Sequence, residues 1–140
     1  MDISFIIPIR IESNDRLRNC ISIVTYLLNT VPTSKIYIKE VDSESIFEKI
    51  AYPEIKKYAD IDNIIHTFEY KDANSLFHRT KYINDLFDQT TSKVVWHYDV
   101  DVIFPKETYV ETYKLINDDG YDFIYPYGCG VYQNAVKYNQ

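Results

Sequence analysis

Two aspartates, Asp99 and Asp101, stand one residue apart at the end of the apolar stretch VVWHYDVDVIFP, Val94 to Pro105. If the strand predicted there continues through residue 101, both carboxylates point to the same face, because side chains alternate along a strand. Carboxylate oxygens are hard ligands that suit Mg²⁺ or Mn²⁺. Such an ion usually completes its coordination shell with water and substrate phosphates. In that arrangement it neutralises the charge that develops on a diphosphate leaving group.

A second interpretation of the same pair is an aspartate-rich turn that caps the helix predicted after Pro105. Spacing alone favours this turn, because a D-x-D triplet is common in proteins. The position of the pair at the end of a buried strand favours a metal site, so the two interpretations are about equally supported.

The elements that must position these residues alternate between strand and helix. The hydrophobic pattern predicts strands at Ile3–Ile9, Lys35–Asp42, Ile64–Phe68, Lys93–Tyr98 and Asp122–Tyr125, and helices at Asn14–Asn29, Ser43–Tyr58, Ser75–Phe87 and from Pro105 to near Gly120. Ser13 or Asn14 is expected to cap the first helix, and Pro53 to interrupt the second. The third helix is expected to carry Leu76, Thr80, Ile83 and Phe87 on one face. Alternation of this kind predicts an α/β fold, with one domain over residues 1–140 and a mainly parallel sheet flanked by helices on both faces.

Polar residues follow several of the predicted strands. Ligands of such sheets bind at the carboxyl ends of the strands, near a switch in strand order. The residues at those ends are Pro8, Arg10, Glu40, Asp42, Asp99 and Asp101. If the third helix begins at this edge, Arg79 can reach ligand phosphates as a bidentate donor.

Composition excludes several classes of function. The chain has a formal net charge of −6 with scattered acidic residues, so the basic stripe needed for nucleic-acid binding is missing. With only three glycines, no glycine-rich phosphate loop is present. His66, His78 and His97 show no paired spacing and are interpreted as structural or surface residues.

Cysteine usage and the start of the sequence bear on location. Cys20 and Cys129 are far apart and are expected to be reduced thiols in a cytoplasmic protein. The apolar run in MDISFIIPIR is too short for a signal peptide or a membrane span. The sequence therefore predicts a cytoplasmic protein without a membrane span.

Four segments in this order, FIIPIRIESNDRLRNC, YIKEVDS, FHRTKYIN and VVWHYDVDVIFP, resemble the family 2-type glycosyltransferases, which have a GT-A fold. Pro8 and the run Asp15, Arg16, Leu17 fit the family's first turn and the start of its first helix. Arg79 and Asn84 match an Arg and an Asn that the family carries five residues apart.

The resemblance implies roles for the polar residues at the sheet edge. Asp99 and Asp101 match the D-x-D motif that coordinates Mn²⁺ or Mg²⁺ and the diphosphate of the sugar nucleotide, with Asp101 as the principal metal ligand. An acid after the second strand contacts the nucleoside, a role open to either Glu40 or Asp42 here. Arg79 would assist with the diphosphate.

The expected function is transfer of a sugar from a nucleoside diphosphate sugar, a UDP-sugar in the first place, to a hydroxyl of a glycan or other acceptor. The resemblance covers only the donor-binding half of the family's domain, so the chain is expected to be incomplete, and no catalytic base is assigned. A non-catalytic sugar-nucleotide-binding or assembly module is the alternative. A nucleotidyltransferase is disfavoured because IRIESNDRLR contains no glycine. A half-sized domain can also expose an apolar edge and form a homo-oligomer.

Overall fold

The computed structural model describes residues 1–127. The strands are β1 (Ile3–Ile9), β2 (Lys35–Asp42), β3 (Ile64–Tyr70) and β4 (Val94–His97), and the α-helices are α1 (Asn14–Thr30), α2 (Tyr52–Lys56), α3 (Arg79–Gln89) and α4 (Lys106–Asn117). A π-helical segment, Phe47–Ala51, runs directly into α2.

The four strands form one parallel sheet in the order β3-β2-β1-β4. Ile6 of β1 is in register with Tyr37 of β2 on one side and with His97 of β4 on the other. β2 and β3 are added in turn on one side of β1, and the chain then crosses to the other side of β1, where β4 pairs. The strand order therefore reverses between β1 and β4, and a ligand crevice is expected at the carboxyl ends of those two strands.

The main core lies on the face of the sheet covered by α1, α2 and α4. Alternate residues of β1, Phe5 and Ile7 among them, pack there against Leu27 of α1 and Tyr109 of α4, all at most 1% exposed. Ser13 caps α1 by accepting a hydrogen bond from the Arg16 amide at 3.2 Å. The prediction of a mainly parallel sheet with helices on both faces is confirmed, since α3 covers the other face.

A smaller cluster joins α3 to that second face through Ile6, Tyr37 and Leu86. Tyr82 and Leu86 are the buried residues of α3. Of the four residues predicted to share a face of this helix, Ile83 packs against that cluster, and Thr80 is exposed. Leu76 precedes the helix and is 78% exposed, and Phe87 is 56% exposed, so the prediction is wrong for those two.

Helix α3 begins four residues later than predicted, at Arg79. The amide of Ser75 donates to the Asp72 carbonyl at 2.9 Å, and the Ser75 carbonyl accepts from Arg10 at 2.7 Å. His78 has φ −83° and ψ 72°, outside the helical region. Residues 75–78 are therefore held in a turn and a connecting segment.

Two predicted strands also need correction. β4 ends at His97, so Asp99 and Asp101 lie in the turn that follows the strand. Residues 122–125 form no strand in the described part of the chain. Their aromatic side chains face solvent, with Phe123 69% and Tyr125 76% exposed, so no core burial fixes them on a sheet.

The prediction that Pro53 interrupts the second helix is wrong. This proline lies in the first turn of α2, after the π-helical segment, where a missing backbone N–H is tolerated.

Cys20 is a buried free thiol, while Cys129 lies outside the described residues. Burial, followed by the nearby Glu40 charge, raises the pKa of Cys20 to about 12. Among the helices within residues 1–127, none combines the length and the apolar character needed to cross a bilayer.

Candidate functional site

An open cavity of about 380 Å³ lies where the strand order reverses, between the carboxyl ends of β1 and β4. Its lining comprises the end of β1, the first turns of α1, the start of α3 and the turn after β4: Pro8, Ile9, Ser13, Asp15, Arg16, Asn19, Arg79, Tyr98, Asp99, Val100 and Asp101. The topology thus brings four of the predicted site residues, Pro8, Arg79, Asp99 and Asp101, into one pocket.

The turn that carries Asp99 and Asp101 is anchored by Tyr98. The Tyr98 amide donates to the Ile6 carbonyl at 3.1 Å, which fixes the turn to the end of the sheet. The Tyr98 hydroxyl donates to the Val102 carbonyl at 2.6 Å, which closes the turn from its far side. Both aspartates are thereby held at the pocket although the strand itself ends at His97.

Two further tyrosines support this turn from the core. The Tyr109 hydroxyl lies 2.7 Å from that of Tyr98, and it accepts a hydrogen bond from the Phe104 amide at 3.3 Å. The Tyr26 hydroxyl donates to the Phe104 carbonyl at 2.6 Å. Burial, and then the contact with Tyr109, raises the pKa of Tyr98, so its hydroxyl stays protonated and keeps donating.

The aspartates do not cap α4. The residue before that helix is Pro105, and no side chain makes a capping hydrogen bond there. The interpretation of Asp99 and Asp101 as a capping turn is therefore wrong, even though they do lie in a turn.

Arg79 places a positive charge directly on one of the two carboxylates. Its Nη2 donates to Asp99 Oδ1 and lies 3.1 Å from His97 Nε2. Partial burial, followed by the adjacent Arg79 charge, lowers the pKa of His97, while Asp99 opposes that shift. A neutral His97 is then free to accept from the Arg79 guanidinium, which aligns the guanidinium with Asp99.

Asp101 is exposed and has no hydrogen-bond or ion-pair partner among the described residues. Of these two aspartates, Asp99 is therefore engaged by a guanidinium and Asp101 is open to a ligand.

The structure does not bring Arg10, Glu40 or Asp42 into this pocket. Arg10 is 5% exposed, and its guanidinium donates to the Val41 carbonyl at 2.9 Å and to the Ser75 carbonyl at 2.7 Å. It links the ends of β1 and β2 to the segment that leads into α3.

Glu40 lies wholly in the core. Its carboxylate accepts from Ser45 Oγ at 2.5 Å and the Phe47 amide at 3.0 Å, and Oε1 lies 3.1 Å from His66 Nε2. Burial alone would raise the pKa of Glu40, but hydrogen bonds from His66, Ser45 and Phe47 lower it below its usual range. Glu40 thus holds the start of the π-helical segment against β3.

Asp42 stands at the end of β2 and is 8% exposed. Its Oδ1 accepts from the Ser43 amide at 2.7 Å. Of the two acids considered for a nucleoside contact, Asp42 retains more unused hydrogen-bonding capacity.

The start of α1 supplies four polar pocket residues that the sequence pattern did not indicate as site residues, namely Ser13, Asp15, Arg16 and Asn19. A signal for them existed, because the helix after β1 in a parallel sheet starts at the ligand-binding edge. Arg16 therefore adds a second guanidinium to the pocket lining, and this guanidinium donates to the Arg10 carbonyl at 3.5 Å.

Asp99 and Asp101 suit a metal ion that takes only one or two ligands from the protein, rather than an ion enclosed by protein side chains. Residues 1–127 contain no cluster of three or more His, Cys, Asp or Glu side chains that would enclose a metal by protein ligands alone. Mg²⁺ and ions like it are commonly held by one or two carboxylates and take their other ligands from water and substrate phosphates. Asp99 and Asp101 fit that second arrangement.

Comparison with known proteins assigns neither a family nor a function to this pocket. No protein-family model, no curated protein and no solved structure matches the chain. The chemistry of the pocket is what bears on its function.

Proposed function

We propose that this chain is the donor-binding domain of a metal-dependent glycosyltransferase of GT-A type, which takes a nucleoside diphosphate sugar, a UDP-sugar in the first place. The observation that carries the proposal is the meeting of Asp99, Asp101 and Arg79 in one pocket at the point where the strand order reverses. Two carboxylates with a guanidinium beside them form a complementary surface for a divalent ion bound to a diphosphate.

The metal, the diphosphate and the nucleoside of the donor each have a proposed contact in the chain. Asp101, open to solvent, is the principal metal ligand, and Asp99 is the second contact to the metal or the ribose. Arg79 and Arg16 provide the positive charge that a diphosphate needs. A bound Mn²⁺ or Mg²⁺ would stabilise the negative charge that develops on the departing diphosphate.

Asp42 is the proposed contact to the nucleoside. Glu40 already uses its carboxylate in three core contacts, so engaging it with a ligand would leave buried donors without partners. The reaction is transfer of the sugar to a hydroxyl of a glycan or other acceptor, and we assign its catalytic base to no residue described here.

Calorimetric titration with UDP tests this function. Wild-type protein is expected to bind UDP in the presence of Mn²⁺ and to lose that binding when a chelator removes the metal. Asp101→Ala is expected to weaken binding by about 10- to 100-fold, since a charged contact of this kind contributes roughly 1.5–3 kcal/mol. Asp88→Ala, which changes an exposed carboxylate at the far end of α3, is the matched control and should bind as wild type does.

The same titration separates an enzyme from a binding module. Absence of metal-dependent UDP binding in the wild type would contradict the proposal. Tight binding without sugar transfer to any acceptor or to water would favour a non-catalytic sugar-nucleotide-binding module.

A further inference from the structure

Asp99 and Asp101, which line the pocket together, differ in how they are engaged. Asp99 is paired with Arg79, and His97 Nε2 lies 3.1 Å from the same guanidinium nitrogen. Asp101 has neither a hydrogen bond nor an ion pair within residues 1–127. Without a ligand, one carboxylate of the pair is already held by a cation that belongs to the chain.

A metal ion and Arg79 would compete for Asp99. The guanidinium donates to Asp99 Oδ1, an oxygen that a divalent ion would also need. The side chains of Arg79 and Asp99 are 48% and 44% exposed, and an ion pair so open to water is weak, equivalent to about two- to fivefold in an equilibrium constant. It lowers the affinity for the metal without closing the site.

A diphosphate offers Arg79 a stronger partner. Guanidinium–phosphate contacts are charge-assisted and often bidentate, and they exceed an exposed contact to one carboxylate oxygen. Arg79 is the first residue of α3 and lines the cavity, so its side chain can turn to a diphosphate without movement of the helix.

We infer that Arg79 is an internal counter-ion that occupies Asp99 until a nucleoside diphosphate draws it away, so that nucleotide binding exposes Asp99 to the metal. This role rests on the proposed function, whose metal and diphosphate it couples. Since coupling between two ligands is reciprocal, the metal must raise nucleotide affinity by the same factor.

The experiment measures Mn²⁺ affinity from the electron paramagnetic resonance signal of free Mn²⁺, first without nucleotide and then at saturating UDP. In Arg79→Met, Mn²⁺ alone should bind about two- to fivefold more tightly than in wild type, because Asp99 is no longer engaged. The enhancement of Mn²⁺ affinity by UDP should shrink in the same variant, since no counter-ion remains to be displaced.

Two further variants separate the ion pair from the general charge of the pocket. Arg16→Met removes the other pocket guanidinium, which bonds the Arg10 carbonyl, and should raise the affinity for Mn²⁺ alone by less than Arg79→Met does. Arg79→Lys keeps a cation beside Asp99 and should leave the affinity for Mn²⁺ alone near the wild-type value. Circular dichroism verifies that each variant is folded.

The outcomes that overturn the inference differ from those that overturn the proposed function. The counter-ion role is rejected if Arg79→Met binds Mn²⁺ alone no more tightly than wild type does, or no more tightly than Arg16→Met does. In either case metal-dependent UDP binding can persist, so the proposed function is not rejected with it. Undetectable Mn²⁺ binding in both wild type and Arg79→Met rejects it as well. Wild-type protein that binds no UDP with Mn²⁺ present rejects the proposed function, and the nucleotide coupling with it.

Discussion

The hydroxyl of Tyr98 lies 2.7 Å from the hydroxyl of Tyr109 in the core, and Tyr98 also donates to the Val102 carbonyl at 2.6 Å. Together these contacts tie the turn that carries Asp99 and Asp101 to α4. The position of the aspartates therefore depends on buried tyrosines as well as on the end of β4.

Removing the Tyr98 hydroxyl should loosen the aspartate turn. We expect Tyr98→Phe to lower the free energy of unfolding by about 1–3 kcal/mol, because the Val102 carbonyl and the Tyr109 hydroxyl both lose a buried partner. Metal-dependent UDP binding should also weaken. The loss of affinity should be larger than the small unfolded fraction of the variant can explain. Urea unfolding and UDP titration measure the two effects.

Tyr70→Phe is the control for that substitution, since Tyr70 is 65% exposed. It should change neither stability nor binding. Wild-type UDP affinity in a folded Tyr98→Phe variant would show that the turn keeps its position without the hydroxyl.

Glu40 should make the stability of the protein depend on acidity. Its pKa in the folded protein is lowered by hydrogen bonds from His66, Ser45 and Phe47, which outweigh the effect of burial. The contribution of the ionised carboxylate is therefore fully present above the unfolded glutamate pKa of about 4.3 and is lost as the pH falls through the lower folded value.

Denaturant unfolding between pH 3 and pH 7 measures this dependence. Glu40→Gln should be less stable than wild type at pH 7 by roughly 1–3 kcal/mol, and the difference should narrow below about pH 4.3. Glu12→Gln, at an exposed position, should follow the wild-type curve. A difference that stays constant or widens in acid would contradict the lowered pKa.

Arg10 should stabilise the segment that leads into α3. Its guanidinium bonds the Val41 carbonyl, the Ser75 carbonyl and Ser75 Oγ, and stacks over Phe77 at 5.5 Å. Arg10→Met removes all three hydrogen bonds and should destabilise the protein by about 2–4 kcal/mol.

Limited proteolysis locates that effect. Cleavage of Arg10→Met within residues 71–78 should precede cleavage elsewhere, whereas Arg18→Met, at an exposed position on α1, should be cleaved as wild type is. Uniform acceleration of cleavage along the chain would show that Arg10 acts on global stability alone.

Cys20 should resist alkylation in the folded protein. Its thiol is buried, and a pKa of about 12 leaves almost no thiolate at pH 8. Peptide mass spectrometry after iodoacetamide treatment should find Cys20 unmodified in native protein and modified after unfolding in urea. Labelling of native Cys20 at the rate of the unfolded chain would contradict this.

The sequence was sufficient to predict the parallel sheet, because the apolar runs of β1 and β2 are long and bounded by polar residues. It also placed Asp99 and Asp101 at one edge, which follows from the direction of parallel strands. The approach of Arg79 to that edge depended on where the third helix begins. The start of α3 could not be predicted, since it depends on the bonds between Arg10 and Ser75, residues far apart in the chain.

Other features of the site depend equally on contacts over long sequence separations. The three core contacts of Glu40 include His66 on a neighbouring strand, and no local pattern distinguishes such a carboxylate from an exposed one. The tyrosines that support the aspartate turn are spread over α1, the end of β4 and α4. Their hydroxyls act together only after the sheet and helices have packed.

The most direct measurement is a crystal structure of the protein grown with UDP and Mn²⁺, with anomalous scattering used to locate the metal. The account predicts one anomalous peak at coordination distance from the Asp101 carboxylate and from a diphosphate oxygen, with Arg79 turned from Asp99 to the phosphates. Clear density for UDP away from this pocket, or for Mn²⁺ on other residues with Asp101 unligated, would contradict it.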